Sequence, residues 1–143
     1  MRMFIAGEWI DRDEKIKVMN PFDGSVVDTV PKADADDVDR ALASAERGAK
    51  IMREMAGYDR FLILRKAADL LEEREEEFGQ VITLEEGKVL AEGIFEASRA
   101  VQTIQLSAEE AKRLSGEVVP LDGAPGSGNR FGFTVRVPCG VVA

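Results

Sequence analysis

Leu90, Ile94, Ala97, Val101, Ile104, Ala108 and Ala111 are spaced 4, 3, 4, 3, 4 and 3 residues apart. At 3.6 residues per turn that spacing gathers all seven on one helix face, whereas the two-residue period of a strand would scatter them. The chain is therefore expected to hold one long helix, from about 89 to about 115, with a continuous buried seam and Gly116 at its end.

The same logic places the other elements. Asp34 is a plausible N-cap, with Asp36 and Asp37 in the first turn, where the helix dipole favours acids. Val38, Leu42 and Ala45 continue a helical stripe, which sets a helix from about 35 to about 53. Gly57 falls in a break. Asp59 is expected to cap the next helix, which carries Phe61, Leu64, Ala68 and Leu71 on one face. The charge run Glu72 to Glu77 sits on this helix or at a bend. Phe78, Val81, Ile82 and Leu84 then continue the apolar pattern to Gly87, a fitting C′ residue.

Strand signals lie on either side of the helices. Phe4 to Ile10 reads as a strand or tight hairpin, Asn20 to Gly24 as a turn, and Val26 to Val30 as a strand ended by Pro31. Glu117 to Leu121 is strand-like, and Asp122 to Asn129 is a loop rich in Gly, Ser and Pro. Arg130 to Val137 alternates, with Phe131, Phe133, Val135 and Val137 on one face of a half-buried strand. Pro138 to Ala143 is an apolar run with no polar close, so the sequence looks cut inside a strand. The expected fold class is α/β: short N-terminal strands, three to four helices, then a strand hairpin. The division is residues 1–122, strands and helices, and residues 123–143, loop and strand.

Charge and composition exclude several functions. Acidic residues outnumber basic ones 27 to 19 among 143 residues, a formal charge of −8, and the cations are scattered. Phosphate binding needs a basic patch, so a nucleic-acid partner and a membrane surface are both disfavoured. No apolar run approaches the ~20 residues of a membrane span. One cysteine, Cys139, allows no internal disulfide, and no signal-peptide core opens the chain. The expected compartment is the cytoplasm. The absence of any histidine removes the commonest general base and most zinc-site recipes.

Each motif that could carry chemistry has a plainer explanation. Cys139 lies between Pro138 and Gly140 in an apolar strand, without the cationic neighbour or helix N-terminus that activates a thiol, and reads as a small buried or semi-exposed hydrophobe. Gly123 to Gly128 lacks the helix start after it that a phosphate loop requires, and reads as a connection between strands. Asp34, Asp36, Asp37 and Asp39 lack the glycine and terminal glutamate of a calcium loop, so capping explains them. Glu92 and Glu96, four apart on the long helix, read as a solvated edge, with Glu96 able to pair with Arg99. The residues thus offer no catalytic, cofactor-binding or metal site.

Several segments in order resemble the aldehyde dehydrogenase superfamily. Phe4 to Trp9 resembles its opening F-I-x-G-x-W, and Asn20 to Val26 its N-P-x-x-G-x-V. Ala35 to Ala41 is similar to its first long helix, and Leu64 to Leu71 to its L-x-x-x-A-D-x-L helix. Thr83 to Lys88 resembles T-L-E-T-G-K, with Glu86 where threonine is usual and Val89 where proline is usual. Arg136 to Val142 resembles R-x-P-x-G-V-V. Ala108 to Arg113, Gly116 to Asp122 and Asn129 to Phe131 are similar to microbial members that include the lactaldehyde and non-phosphorylating glyceraldehyde-3-phosphate dehydrogenase group.

The resemblance implies that the full enzyme would oxidise an aldehyde to a carboxylic acid with NAD or NADP, a cysteine attacking the carbonyl and a glutamate-activated water releasing the acid. The family's catalytic cysteine, glutamate and asparagine match no position here, so the chain alone is expected to be inactive and to bind no cofactor. The resemblance further implies that residues 1–122 pack on the nucleotide-binding domain. It implies that the strand over 131–137 joins an oligomerisation sheet between like subunits. It offers a monovalent cation a place near a Val18–Met19 turn, with Glu96 as the acid. A different reading is a complete non-catalytic module that binds or caps a subunit of the family.

Overall fold

The computed structural model describes residues 1–142. Strands β1 (Met3–Ile5) and β2 (Glu8–Ile10) form an antiparallel hairpin, with Phe4 opposite Trp9. Ala6 and Gly7 both have positive φ, 53° and 89°, the mirror-image turn geometry that matches strand twist in two-residue hairpins. Strands β3 (Lys15–Met19) and β4 (Val26–Pro31) form a second antiparallel pair around the turn at Asn20 to Gly24. There the Asn20 side chain accepts from the Phe22 amide, and Gly24 sits at φ 72°.

Strand β3 corrects the sequence reading, which took Val18–Met19 as a turn. Lys15, Ile16, Lys17 and Val18 alternate polar and apolar, and β4 supplies the ladder partner; the bulge lies between Val18 and Met19.

Four helices follow: α1 (Ala35–Glu54), α2 (Gly57–Glu72), α3 (Glu75–Glu86) and α4 (Leu90–Ala111). Asp34 caps α1 as expected, its Oδ1 accepting from the Asp37 amide at 2.9 Å. Two boundaries differ from expectation. Gly57 is the first residue of α2 rather than a break, and Asp59 lies in its first turn, not at its cap. Helix α4 ends at Ala111, four residues short of expectation, so its seam stops with the last alanine that α2 can cover. The charge run falls at the bend between α2 and α3, and Gly87 (φ 75°) closes α3 through its amide to the Thr83 carbonyl.

Helices α2 and α3 follow one another along α4, α3 against its N-terminal half and α2 against its C-terminal half. The buried apolar core is small: Ala68 from α2, and Ala97, Val101, Ala108 and Ala111 from α4. Such short side chains let backbones approach. A Cβ on Gly57 would lie 2.7 Å from the Ala111 carbonyl oxygen, and one on Gly93 would lie 2.5 Å from the Gly79 carbonyl oxygen. Helix α1 is tied to its neighbours chiefly by polar contacts. Arg12, after β2, clasps the fully buried Asp37 with Nε at 3.1 Å and Nη2 at 2.5 Å. Arg40 reaches Glu8 on β2 at 3.0 Å, and Arg60 of α2 donates to the Met55 carbonyl at 2.7 Å, where the helix dipole favours a cation.

The two-residue strands β5 (Val118–Val119) and β6 (Gly132–Phe133) pair antiparallel across the Gly-rich loop. The eight-residue alternating strand expected over 130–137 is thus realised at two positions only. Its apolar face has nothing to bury against: Phe131, Phe133, Val135 and Val137 are all at least 64% exposed. No helix among the described residues is long and apolar enough to cross a membrane.

Two substitutions test this packing. Gly93→Ala drives a methyl into the α3 backbone and is expected to destabilise the chain by about 1–3 kcal/mol. Gly48→Ala, in the middle of α1 with open space around it, removes backbone freedom from the unfolded chain and is expected to stabilise by about 0.5–1 kcal/mol. Urea unfolding midpoints should move in opposite directions. Arg12→Ala leaves the Asp37 carboxylate buried without its counter-ion. Because Arg12 is itself one-third exposed, a loss of about 3 kcal/mol is expected, the low end for a broken buried pair, read in the same assay.

Candidate functional site

The structure does not bring the sequence-level candidates together. Cys139 is an exposed free thiol in a stretch without strand hydrogen bonding, which corrects the reading of a buried or semi-exposed residue within a strand. Gly123 to Gly128 leads into β6 and not into a helix, and Ser127 Oγ donates to the Ala124 carbonyl at 2.5 Å, closing a turn. No amide array is aimed at a phosphate there. Asp34 and Asp37 are consumed by the cap and by Arg12, while Asp36 and Asp39 are exposed. Among the described residues no group of three or more Asp, Glu, Cys or His converges to hold a metal.

Glu96 departs from expectation. Its carboxylate pairs with Lys88 rather than with Arg99. Lys88 Nζ also lies 2.8 Å from Glu86, the last residue of α3. Hydrogen bonds from the ammonium to Glu86 and to Glu96 push the lysine above its ordinary pKa. Lys88 stands at the junction because Gly87 turns the chain and α4 begins two residues later. The signal was present in the sequence as an acid two residues before and eight after the lysine, but only the α3–α4 turn reveals that both reach it.

Sequence reasoning missed Arg12 altogether. It lies 25 residues before Asp37, beyond any helical or strand periodicity, and only the fold makes them neighbours. The Asp34-to-Asp37 spacing was readable as a cap; the buried partner was not.

What the structure does present is uncovered apolar surface. A protein of 15.7 kDa exposes 10,916 Å², whereas a compact monomer of that mass exposes about 7,300 Å². The Val38 and Leu42 stripe of α1 is about half exposed, and the Phe131 to Val137 face is more so. Between α1, α2 and α4 runs an open groove of about 490 Å³ lined by Met52, Ile63, Leu64, Leu106 and Leu114. Soluble monomers seldom leave so much apolar area in contact with water.

Comparison with known proteins identifies the family. The aldehyde dehydrogenase family model matches residues 9–143. The 3-sulfolactaldehyde dehydrogenase of Priestia aryabhattai is 45% identical over 141 residues, covering 99% of this chain and 29% of that protein. Aldehyde dehydrogenase 21 from Physcomitrella patens, solved in complex with the reaction product succinate, superposes with a TM-score of 0.81 at 33% identity, over 92% of this chain and 28% of that one. A NAD-dependent benzaldehyde dehydrogenase from Corynebacterium glutamicum superposes with a TM-score of 0.75 at 28% identity, over 87% of this chain and 28% of that one. The chain belongs to the aldehyde dehydrogenase family. It spans less than a third of the length of these relatives, matching their N-terminal portion.

If the exposed face is an interface and not a core, polar replacements there should leave folding intact. Phe133→Ser combined with Val135→Ser is expected to change unfolding free energy by no more than about 0.5 kcal/mol, as surface substitutions do. The same double variant should bind less of a fluorescent apolar dye and sediment with less self-association than the parent chain.

Proposed function

We propose that this chain is the docking and assembly part of an NAD(P)-dependent aldehyde dehydrogenase. In this reading the whole subunit oxidises an aldehyde to a carboxylic acid through a cysteine thiohemiacetal, and no residue of this chain performs a chemical step. Residues 1–122 pack on the nucleotide-binding domain. Residues 123–143 are the loop and the oligomerisation-type strand, which joins like subunits through 131–137. NAD or NADP is held by the rest of the subunit. The enzyme works in the cytoplasm, where a lone thiol such as Cys139 stays reduced.

The observation that carries this reading is the surface excess. About 3,600 Å² beyond the compact expectation is more than the roughly 1,000–2,500 Å² that one obligate interface takes from each partner. That area suits two contacts, one to a neighbouring domain and one to another subunit. The uncovered elements match the two roles: the α1 stripe and the groove beside it for the first, the Phe131 to Val137 face for the second. The microbial lactaldehyde-type group is the favoured affiliation, supported by the relative named for 3-sulfolactaldehyde.

A chimera tests the proposal. The matching N-terminal segment of the Priestia enzyme is replaced by this chain, and aldehyde-dependent reduction of the nicotinamide cofactor is followed. The chimera is expected to fold, oligomerise and retain activity within about tenfold, a transition-state difference of ~1.4 kcal/mol. The 143-residue chain alone is expected to show none. A soluble, oligomeric chimera that binds cofactor and yet is inactive would count against the assignment, as would turnover by the chain alone.

A further inference from the structure

We propose that Lys88 is the resident cation of the α3–α4 junction, its ammonium standing at Glu96 where the family resemblance offers a monovalent metal ion. The residues do not fit that ion. Glu96, the acid the resemblance supplies, already accepts a hydrogen bond from Lys88 Nζ. The same ammonium lies 2.8 Å from Glu86 Oε2, so one tethered cation serves two carboxylates from two helices. Val18 and Met19, which would complete the site, are not a free turn. They belong to β3, paired opposite Asp28 and Val26 of β4.

Charge and entropy favour the lysine over a free ion. An ammonium is a compact point charge with three donors and no acceptor, the nearest side-chain equivalent of an alkali cation. Its tether holds it beside the carboxylates at an effective concentration of at least about millimolar, with no association entropy left to lose. Arg99, which shares the α4 surface with Glu92 and Glu96, adds a second positive group beside Glu96. With Glu86, Glu92, Glu96, Lys88 and Arg99 counted, the local formal charge is −3 + 2 = −1, so what turns a metal ion away is the ammonium already seated on Glu86 and Glu96 rather than charge neutrality. Lys88 is also placed to matter mechanically. Gly87 and Lys88 are the hinge between α3 and α4, and Phe22 of the β3–β4 turn lines the same hollow.

The inference concerns the junction alone and stands or falls separately from the docking role. Thermal unfolding of the full chain is compared in potassium, sodium and choline chloride at equal ionic strength. The parent chain is expected to unfold at the same temperature in all three, within about 1 °C. Lys88→Met frees two adjacent carboxylates and is expected to become sensitive to ion identity, gaining about 2–4 °C in potassium or sodium over choline. Lys88→Arg restores the tethered cation and should again be insensitive. Should Lys88→Met fail to fold, the parent chain and Glu96→Gln decide the matter. A potassium- or sodium-specific stabilisation of the parent that disappears in Glu96→Gln overturns the proposal. So does a folded Lys88→Met that ignores the ion. A specific effect that persists in Glu96→Gln places the ion elsewhere and leaves Glu96 to Lys88, as proposed.

Discussion

At the crossing of α3 and α4 two glycines face each other, and a methyl on Gly93 would lie 2.5 Å from the Gly79 carbonyl oxygen. The rest of the helical layer depends on that approach. With Ala68, Ala97, Ala108 and Ala111 as most of the buried core, the interior holds little bulk. Contact between α2, α3 and α4 is made by backbones and methyl groups, whose dispersion energy falls steeply with separation. A close-packed helix pair of this kind is stiff.

The second constraint is polar. Asp37 receives its own N-cap amide and the Arg12 guanidinium at once, so a single carboxylate ends a helix and anchors it to the strands. Without it α1 would be held mainly by the Arg40–Glu8 and Arg60–Met55 contacts. Exposed pairs like the former contribute roughly 1 kcal/mol at most. Helix α1 is thus an amphipathic helix fastened at its ends by polar groups, with its apolar stripe left open.

The chain belongs to the aldehyde dehydrogenase family over a stretch that matches only the N-terminal portion of its relatives. The sulfolactaldehyde dehydrogenase relative is more than three times as long as the matching stretch, so most of its residues have no counterpart here. The described residues display an apolar groove, an amphipathic helix and a short open strand edge. Unpaired edges and open apolar faces are liabilities in isolation and become interfaces in an assembly.

Local rules were enough to read much of this from the sequence. The 4-3-4 spacing along α4, the Asp34 cap, the Gly87 stop and the Ala6–Gly7 region as a hairpin each depend on residues a few positions apart, where periodicity and turn chemistry act directly. The ordered motifs also carried the family, because matching residues in the right order need no coordinates. What the sequence could not determine were the meetings of distant residues. Arg12 with Asp37, Lys88 with Glu86 and Glu96, and Gly79 with Gly93 exist only once helices cross and turns close. The exposure of the Phe131 to Val137 face was decided at that level too. Alternation specifies that a strand has an apolar side; it takes a second layer to cover that side, and within residues 1–142 no such layer is present.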